Sequence, residues 1–316
     1  MTLSPLHQSR SQGEVLAQLS RDGLVESIHA GHLVALNSDG TILKAKGAIE
    51  LPIYGRSALK ALQAAGVLRT GLKVNSKQLA LMCASHAGSV EHLTVVETIL
   101  SDSGLTIDQL RNAVDKPLGD EERKAWGELA PTRLTQNCSG KHAGMLAGAA
   151  FKGWDLESYL SPSHPLQQLI LQEIEALAGE RVSVVTADGC GAPLFALSTL
   201  GIAKAFRALT ISTDPIHQEI IAACQAHPHL VAGNGRLATR MMRAIPGLFM
   251  KEGAEAVLVA TLPDGRTLVI KVVDGGLRAL GPIIQAALAL WGITTPDETV
   301  SVLGGDRVVG TMEALL

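Results

Sequence analysis

At 316 residues, with 47% hydrophobic and 18% charged side chains, the chain is long enough to bury a large core and too ordinary in composition for a disordered or fibrous protein. A formal net charge of -3 and only 3% aromatic residues exclude the basic, base-stacking surface that nucleic acid needs and the cationic face that binds anionic membranes. The expected partner is a small-molecule substrate, with no nucleic acid and no membrane.

Residues 1–18 mix Ser, His, Gln and charged residues without an unbroken apolar core, and apolar runs such as Ile283 to Trp291 are too short for a bilayer. A cytoplasmic location is expected. From Leu24 to Lys46, two β-prone runs flank Asn37-Ser38-Asp39-Gly40 and predict a hairpin. Pro52 and Gly55 then punctuate the chain, and Ser57 opens a helical run, SALKALQAA, that Gly66 is expected to close. Ser76 is read as the cap of a helix through Cys83, Ser89 of another through Leu100, and Thr106 with Gln109 forms a capping-box pattern. His164 to Ala178 has helical apolar spacing, and Asp214-Pro215 starts a further helix to Ala226. After that, Ala254 to Thr261 and Thr267 to Val273 are β-rich runs joined by Leu-Pro-Asp-Gly, and Leu280 to Trp291 reads as a buried helix. Strands at both ends with helices between predict an α+β fold in one domain, 1–316. Its antiparallel sheet comes from about 24–56 and 229–316, around a mostly helical region at about 57–228.

Five short segments carry candidate chemistry. Arg56-Ser57-Ala58-Leu59-Lys60 is an S-x-x-K motif at a helix start, where one turn stacks Lys60 on Ser57 and free N–H groups face a developing oxyanion. Such a spacing arises by chance about once in a chain this long, so it carries little by itself. Cys83-Ala84-Ser85-His86-Ala87-Gly88 reads equally as a helix C-cap and loop. Asn137-Cys138-Ser139-Gly140-Lys141-His142 crowds reactive groups at a helix start, a position expected to lower the pKa of Cys138. Asp188-Gly189-Cys190-Gly191 forms a turn after the β-prone run Val182 to Val185. Lys251-Glu252-Gly253 enters the first C-terminal strand, where a lysine is ordinarily solvated. Four scattered cysteines make no disulfide framework, so all are expected to be reduced.

In chain order, RSALK, CASH, NCSGKHAGM, DGCGAPLFALS, GNGR and K-x-G-A-E resemble the blocks of the bacterial L-asparaginase II family of the Rhizobium type, from about Gly31 to Gly281. The resemblance implies a fold like serine β-lactamases and penicillin-binding proteins, and hydrolysis of L-asparagine to L-aspartate and ammonia. It implies Ser57 as nucleophile with Lys60 as base, a second pair in Ser85 and Lys251, and zinc held by Cys138, Lys141 and Cys190. Arg56, His142 and Asp188 are the expected partners of the charged ends of the substrate. Departures from the family pattern fall at Ala61, Ser89 and Asn234. A β-lactamase-like or esterase acyl transferase would use the same Ser-x-x-Lys site, and a non-enzymatic binder would not need all four Ser and Lys residues. Assembly, including a homodimer, stays open.

Overall fold

A computed structural model describes residues 13–316, so the expectation placed on residues 1–12 lies outside the described residues. The chain starts with strands β1 (Glu14–Arg21), β2 (Leu24–Leu36), β3 (Ile42–Lys46) and β4 (Pro52–Tyr54). A 3-10 turn at Arg56–Leu59 runs into helix α1 (Lys60–Leu68), followed by α2 (Ser76–Met82), α3 (Val90–Ser101), α4 (Asp120–Trp126), α5 (Ser139–Phe151) and α6 (Pro165–Ala178). Strands β5 (Val184–Ala187) and β6 (Pro193–Ser198) precede helices α7 (Thr199–Ile211), α8 (Pro215–Ala226), α9 (Pro228–Val231) and α10 (Leu237–Ala244). Strands β7 (Phe249–Gly253), β8 (Val257–Thr261) and β9 (Thr267–Val272), helix α11 (Leu280–Ala289), and strands β10 (Val300–Gly304) and β11 (Arg307–Ala314) complete it.

The two chain ends build one antiparallel sheet in the order β10-β11-β1-β2-β9-β8-β7, with β3 also on β2. The Asn-Ser-Asp-Gly and Leu-Pro-Asp-Gly turns connect their strands as expected. Every residue of β8 is buried, which requires cover on both faces. Helix α7 packs on β2, β8 and β9, and α11 packs on β1, β9 and β11.

The sequence reading differs at identifiable places. β1 was not anticipated, and β4 pairs with β6 in a separate three-stranded sheet rather than with the large one. Helices α8, α9 and α10 and the loops between them occupy the stretch to Ala244, so the C-terminal sheet segment begins at Phe249 and not near 229. Asn75, one residue before Ser76, caps α2: its side chain accepts from Gln78 N at 3.0 Å while Gln78 Oε1 accepts from Asn75 N. Gly66 does not end α1; it lies inside the helix because a Cβ there would sit 2.5 Å from Ile170 Cα, so it lets α1 approach α6 closely. The caps at Ser89, Thr106 and Asp214 form as expected. Among the described residues, no helix is long and apolar enough to cross a membrane.

Candidate active site

The Ser57 turn is held from both sides. Arg56 has φ +50°, a left-handed value that a residue with a side chain adopts only when its surroundings hold it there. Arg56 Nε donates to Asp188 Oδ1 at 2.9 Å, tying the turn to the DGCG loop. On the other side, β7 presses against it: a Cβ on Gly253 would lie 3.0 Å from Ala58 N and 3.1 Å from Gly55 O. Glycine is therefore needed where the C-terminal sheet meets the S-x-x-K turn. Lys251 belongs to this strand rather than to its approach, because Glu255 and Ala256, both at positive φ, make a tight turn between β7 and β8.

The lysine of the motif makes its hydrogen bonds to partners other than the expected one. Among the described residues no hydrogen bond joins the half-buried Ser57 hydroxyl to Lys60. Lys60 Nζ instead donates to Ala84 O, to Ser85 Oγ at 3.1 Å and to Cys138 Sγ at 3.1 Å. Lys251 Nζ donates to the same Ser85 Oγ at 3.0 Å and to Glu252 O at 2.6 Å. Both lysines are 1% exposed, so one hydroxyl bridges two buried amines. Ser85 itself is anchored where α2 has ended, its N–H donating to Val231 O at 3.0 Å. Burial, reinforced by the charge of Lys60, lowers the Lys251 pKa to about 7, against the opposing pull of Glu252. A lysine so placed is partly the free amine at neutral pH.

The thiols reverse one expectation. Cys138 precedes α5, but it is Cys190 whose pKa falls, to about 5, through the hydrogen bond from Cys138; burial opposes the shift and the Lys141 charge assists it. The same shared proton, with burial, pushes Cys138 up to about 12. Helix-end electrostatics are outweighed by a partner thiol in contact. Lys141 Nζ donates to Cys190 Sγ at 3.2 Å. Burial alone would lower the pKa of Lys141, but the negative charge of the thiols and Asp188 raises it. Asp188 lies below the usual carboxylate range because Lys141 and Arg56 outweigh its burial. All four cysteines are free, as expected.

Of the three residues expected at the substrate termini, Arg56 and Asp188 pair with each other at the edge of this cluster. His142 is wholly buried, and its Nδ1 meets Tyr159 Oη at 2.7 Å. Burial and then the Lys141 charge keep His142 neutral. Three contributors carried no role in the sequence reading: Tyr159, the Arg236–Glu252 ion pair at 3.0 Å beside Lys251, and His86. His86, Glu252 and Arg236 lay in segments already singled out, whereas Tyr159 did not.

Among the described residues no group of three or more His, Cys, Asp or Glu is arranged to hold a metal. The trio expected to hold zinc, Cys138, Lys141 and Cys190, includes a lysine and so is not such a group.

The solved structure of EstCE1, a hydrolase with promiscuous acyltransferase activity, aligns over 90% of this chain and 96% of its own, at 11% identity and a TM-score of 0.41. A likeness that distant carries no functional weight. No curated protein matches the chain. The profile of the L-asparaginase II family, by contrast, matches residues 17–312, which takes in every residue of the lysine, serine and thiol cluster. The chain belongs to the L-asparaginase II family.

Proposed function

We propose that the protein hydrolyses the side-chain amide of L-asparagine to L-aspartate and ammonia through a serine acyl-enzyme, on a serine β-lactamase-like scaffold of the Rhizobium type. Family membership supports the substrate. The observation that supports the mechanism is the Ser85 hydroxyl bridging Lys60 and Lys251.

Lys60 donates three hydrogen bonds and so has no free lone pair in this arrangement. Lys251, with a pKa of about 7, can take a proton through Ser85 Oγ and leave Lys60 neutral. Lys60 then accepts the Ser57 proton as Ser57 Oγ attacks the amide carbon. The tetrahedral intermediate collapses with transfer of a proton to the departing nitrogen, ammonia leaves, and a β-aspartyl ester stays on Ser57. Water, deprotonated by the same relay, hydrolyses the ester and restores Ser57. Arg56 and Asp188, already paired, offer one charge of each sign to the α-carboxylate and α-ammonium of the substrate.

Zinc fits the thiol cluster on donor chemistry. Cys190 would supply a thiolate, and Cys138 and Lys141, each giving up a proton on binding, would supply a second sulfur and an amine within the same contact network. When bound, the metal supplies fixed positive charge beside Asp188.

A second reading is favoured by the direct Lys251–Ser85 hydrogen bond: Ser85 is the nucleophile and Lys251 its base. One experiment separates the readings. Ammonia release is measured from asparagine, glutamine and, in parallel, turnover of a chromogenic β-lactam, with intact-mass detection of the acyl-enzyme in Ser57→Ala and Ser85→Ala. Asparagine turnover is expected, with acylation abolished in Ser57→Ala and slowed, but still on Ser57, in Ser85→Ala. Acylation lost only in Ser85→Ala transfers the nucleophile to Ser85, and turnover of the β-lactam alone rejects the asparaginase reading. Metal analysis of the same preparation, from zinc-replete growth, is expected to give about one zinc per chain, and none found removes zinc from the reading.

A further inference from the structure

His86 immediately follows Ser85 and is wholly buried. Its backbone N–H donates to Asn137 O at 3.1 Å, and its ring Nε2 lies 2.8 Å from Ser139 Oγ. Ser139 has one hydroxyl proton, and it goes to Leu134 O at 2.8 Å. Ser139 Oγ must then accept from His86, which fixes the ring as the neutral tautomer carrying its proton on Nε2. His86 Nδ1 is left as a buried acceptor without a partner. Leaving such a group unsatisfied is unfavourable, so the ring is held here by what its other side does. The ring also stacks on His92, with centroids 5.2 Å apart and planes at 19°. His92 is itself fixed, Nδ1 at 2.6 Å from Ser89 Oγ and Nε2 at 2.9 Å from His229 O.

We propose that His86 is a positioning residue: it clamps the peptide carrying Ser85 to the first turn of α5, so that Ser85 Oγ stays on both lysines. The clamp has two teeth one residue to either side of Cys138, at Asn137 and Ser139, and Cys138 is also a partner of Lys60. Both banks of the Ser85–Lys60 contact are thus fixed by one side chain and its own N–H. Without the ring bond, the peptide keeps its backbone bonds to Val231 and Asn137 and the Lys60–Ala84 O bond, none of which fixes the Ser85 side chain, and the hydroxyl is free to leave one lysine. This inference rests on the proton relay assigned above.

The test compares His86→Gln, His86→Asn and Ser139→Ala. A glutamine amide reaches the Nε2 position and restores the donor, whereas an asparagine amide reaches only Nδ1. A displacement of about 1 Å in a catalytic group costs on the order of a hundredfold in rate. The expected result is a kcat for asparagine lowered about a hundredfold in His86→Asn and Ser139→Ala, KM within about threefold, and recovery to within about tenfold in His86→Gln. Ser139→Ala keeps the histidine and so carries the test if the His86 variants fail to fold. Equal impairment of His86→Gln and His86→Asn, or near-normal kcat in Ser139→Ala, overturns the clamp. The rate of covalent labelling by a fluorophosphonate probe, read by intact mass, is measured in the same variants. It must show the same ranking, and it does so whether or not the wild-type protein releases ammonia from asparagine, so failure of the substrate assignment is seen separately.

Discussion

Two charge clusters in this protein, one partly buried and one buried, are built on opposite principles. Around Arg69, at the end of α1, opposite charges are matched: Nε and Nη2 bind both oxygens of Glu173 on α6 at 2.7 and 2.8 Å, and Nη1 binds Asp214, the cap of α8, at 2.6 Å. His217 closes the set on Glu173 Oε1 at 2.6 Å. Burial would raise the Glu173 pKa, but hydrogen bonds from His217 and Arg69 bring it to about 2. Around Ser85, two lysines share a hydroxyl, and among the described residues no carboxylate is hydrogen-bonded to either amine. The first cluster welds three helices; the second leaves a proton equilibrium poised near neutrality. Pairing fixes the charge state of each partner, whereas burial without a carboxylate lowers the pKa of a lysine, as the proposed relay requires.

The contrast can be broken most sharply at Lys251. Its shift from 10.5 to about 7 corresponds to at most about 5 kcal/mol of folding free energy withheld at neutral pH. Lys251→Met is expected to lower kcat at least about a thousandfold while raising Tm by about 2–5 °C, checked by ammonia release and thermal unfolding. A variant that is both inactive and destabilised would show that the second cluster is a structural weld after all. In the first cluster, Glu173→Gln is expected to cost about 2–3 kcal/mol in denaturant unfolding, the lower end for a buried pair because Arg69 is partly exposed, with kcat within about threefold.

Titration gives the smallest and most discriminating signal. Activity is expected to rise from pH 6 to 8 with a midpoint near 7, as Lys251 loses its proton. For stability, Lys251 is a base with a lowered folded pKa, so between about 7 and 10.5 the unfolded chain binds more protons and stability rises with pH. Glu173 is an acid with a lowered folded pKa; its contribution is complete above about 4.5 and is lost as pH falls toward 2. Lys251→Met should flatten the alkaline window alone and Glu173→Gln the acid window alone, measured as unfolding free energy against pH.

Elements defined by local chemistry were legible in the sequence. The Asn-Ser-Asp-Gly hairpin, the capped helices at Ser89 and Asp214 and the antiparallel sheet from both chain ends follow from turn residues, caps and periodicity. Gly66 misled because its role is set by Ile170, about a hundred residues on, and nothing local tells a helix-ending glycine from one that admits a neighbour. The five reactive segments were identified, and the fold gathers residues from all of them. Which atoms meet was not legible. That Lys60 reaches Ser85 and Cys138, and that Cys190 rather than Cys138 holds the negative charge, depends on tertiary placement to within about 1 Å. His86 stood in view inside the CASH segment, but its partner Ser139 lies 53 positions away.

The close approach of Gly253 to the Ser57 turn has a consequence for the order of assembly. Residues 57, 85, 138 and 190 all emerge from synthesis before β7, and the strand that presses on the turn and brings Lys251 to Ser85 comes late. Until then the Arg56–Leu59 turn lacks its backstop, and the large sheet has β1 and β2 without their C-terminal neighbours β11 and β9. Closure between segments so distant in the chain is slow compared with helix formation. On the proposed relay, a nascent chain is therefore incomplete until the segment from Phe249 onward docks.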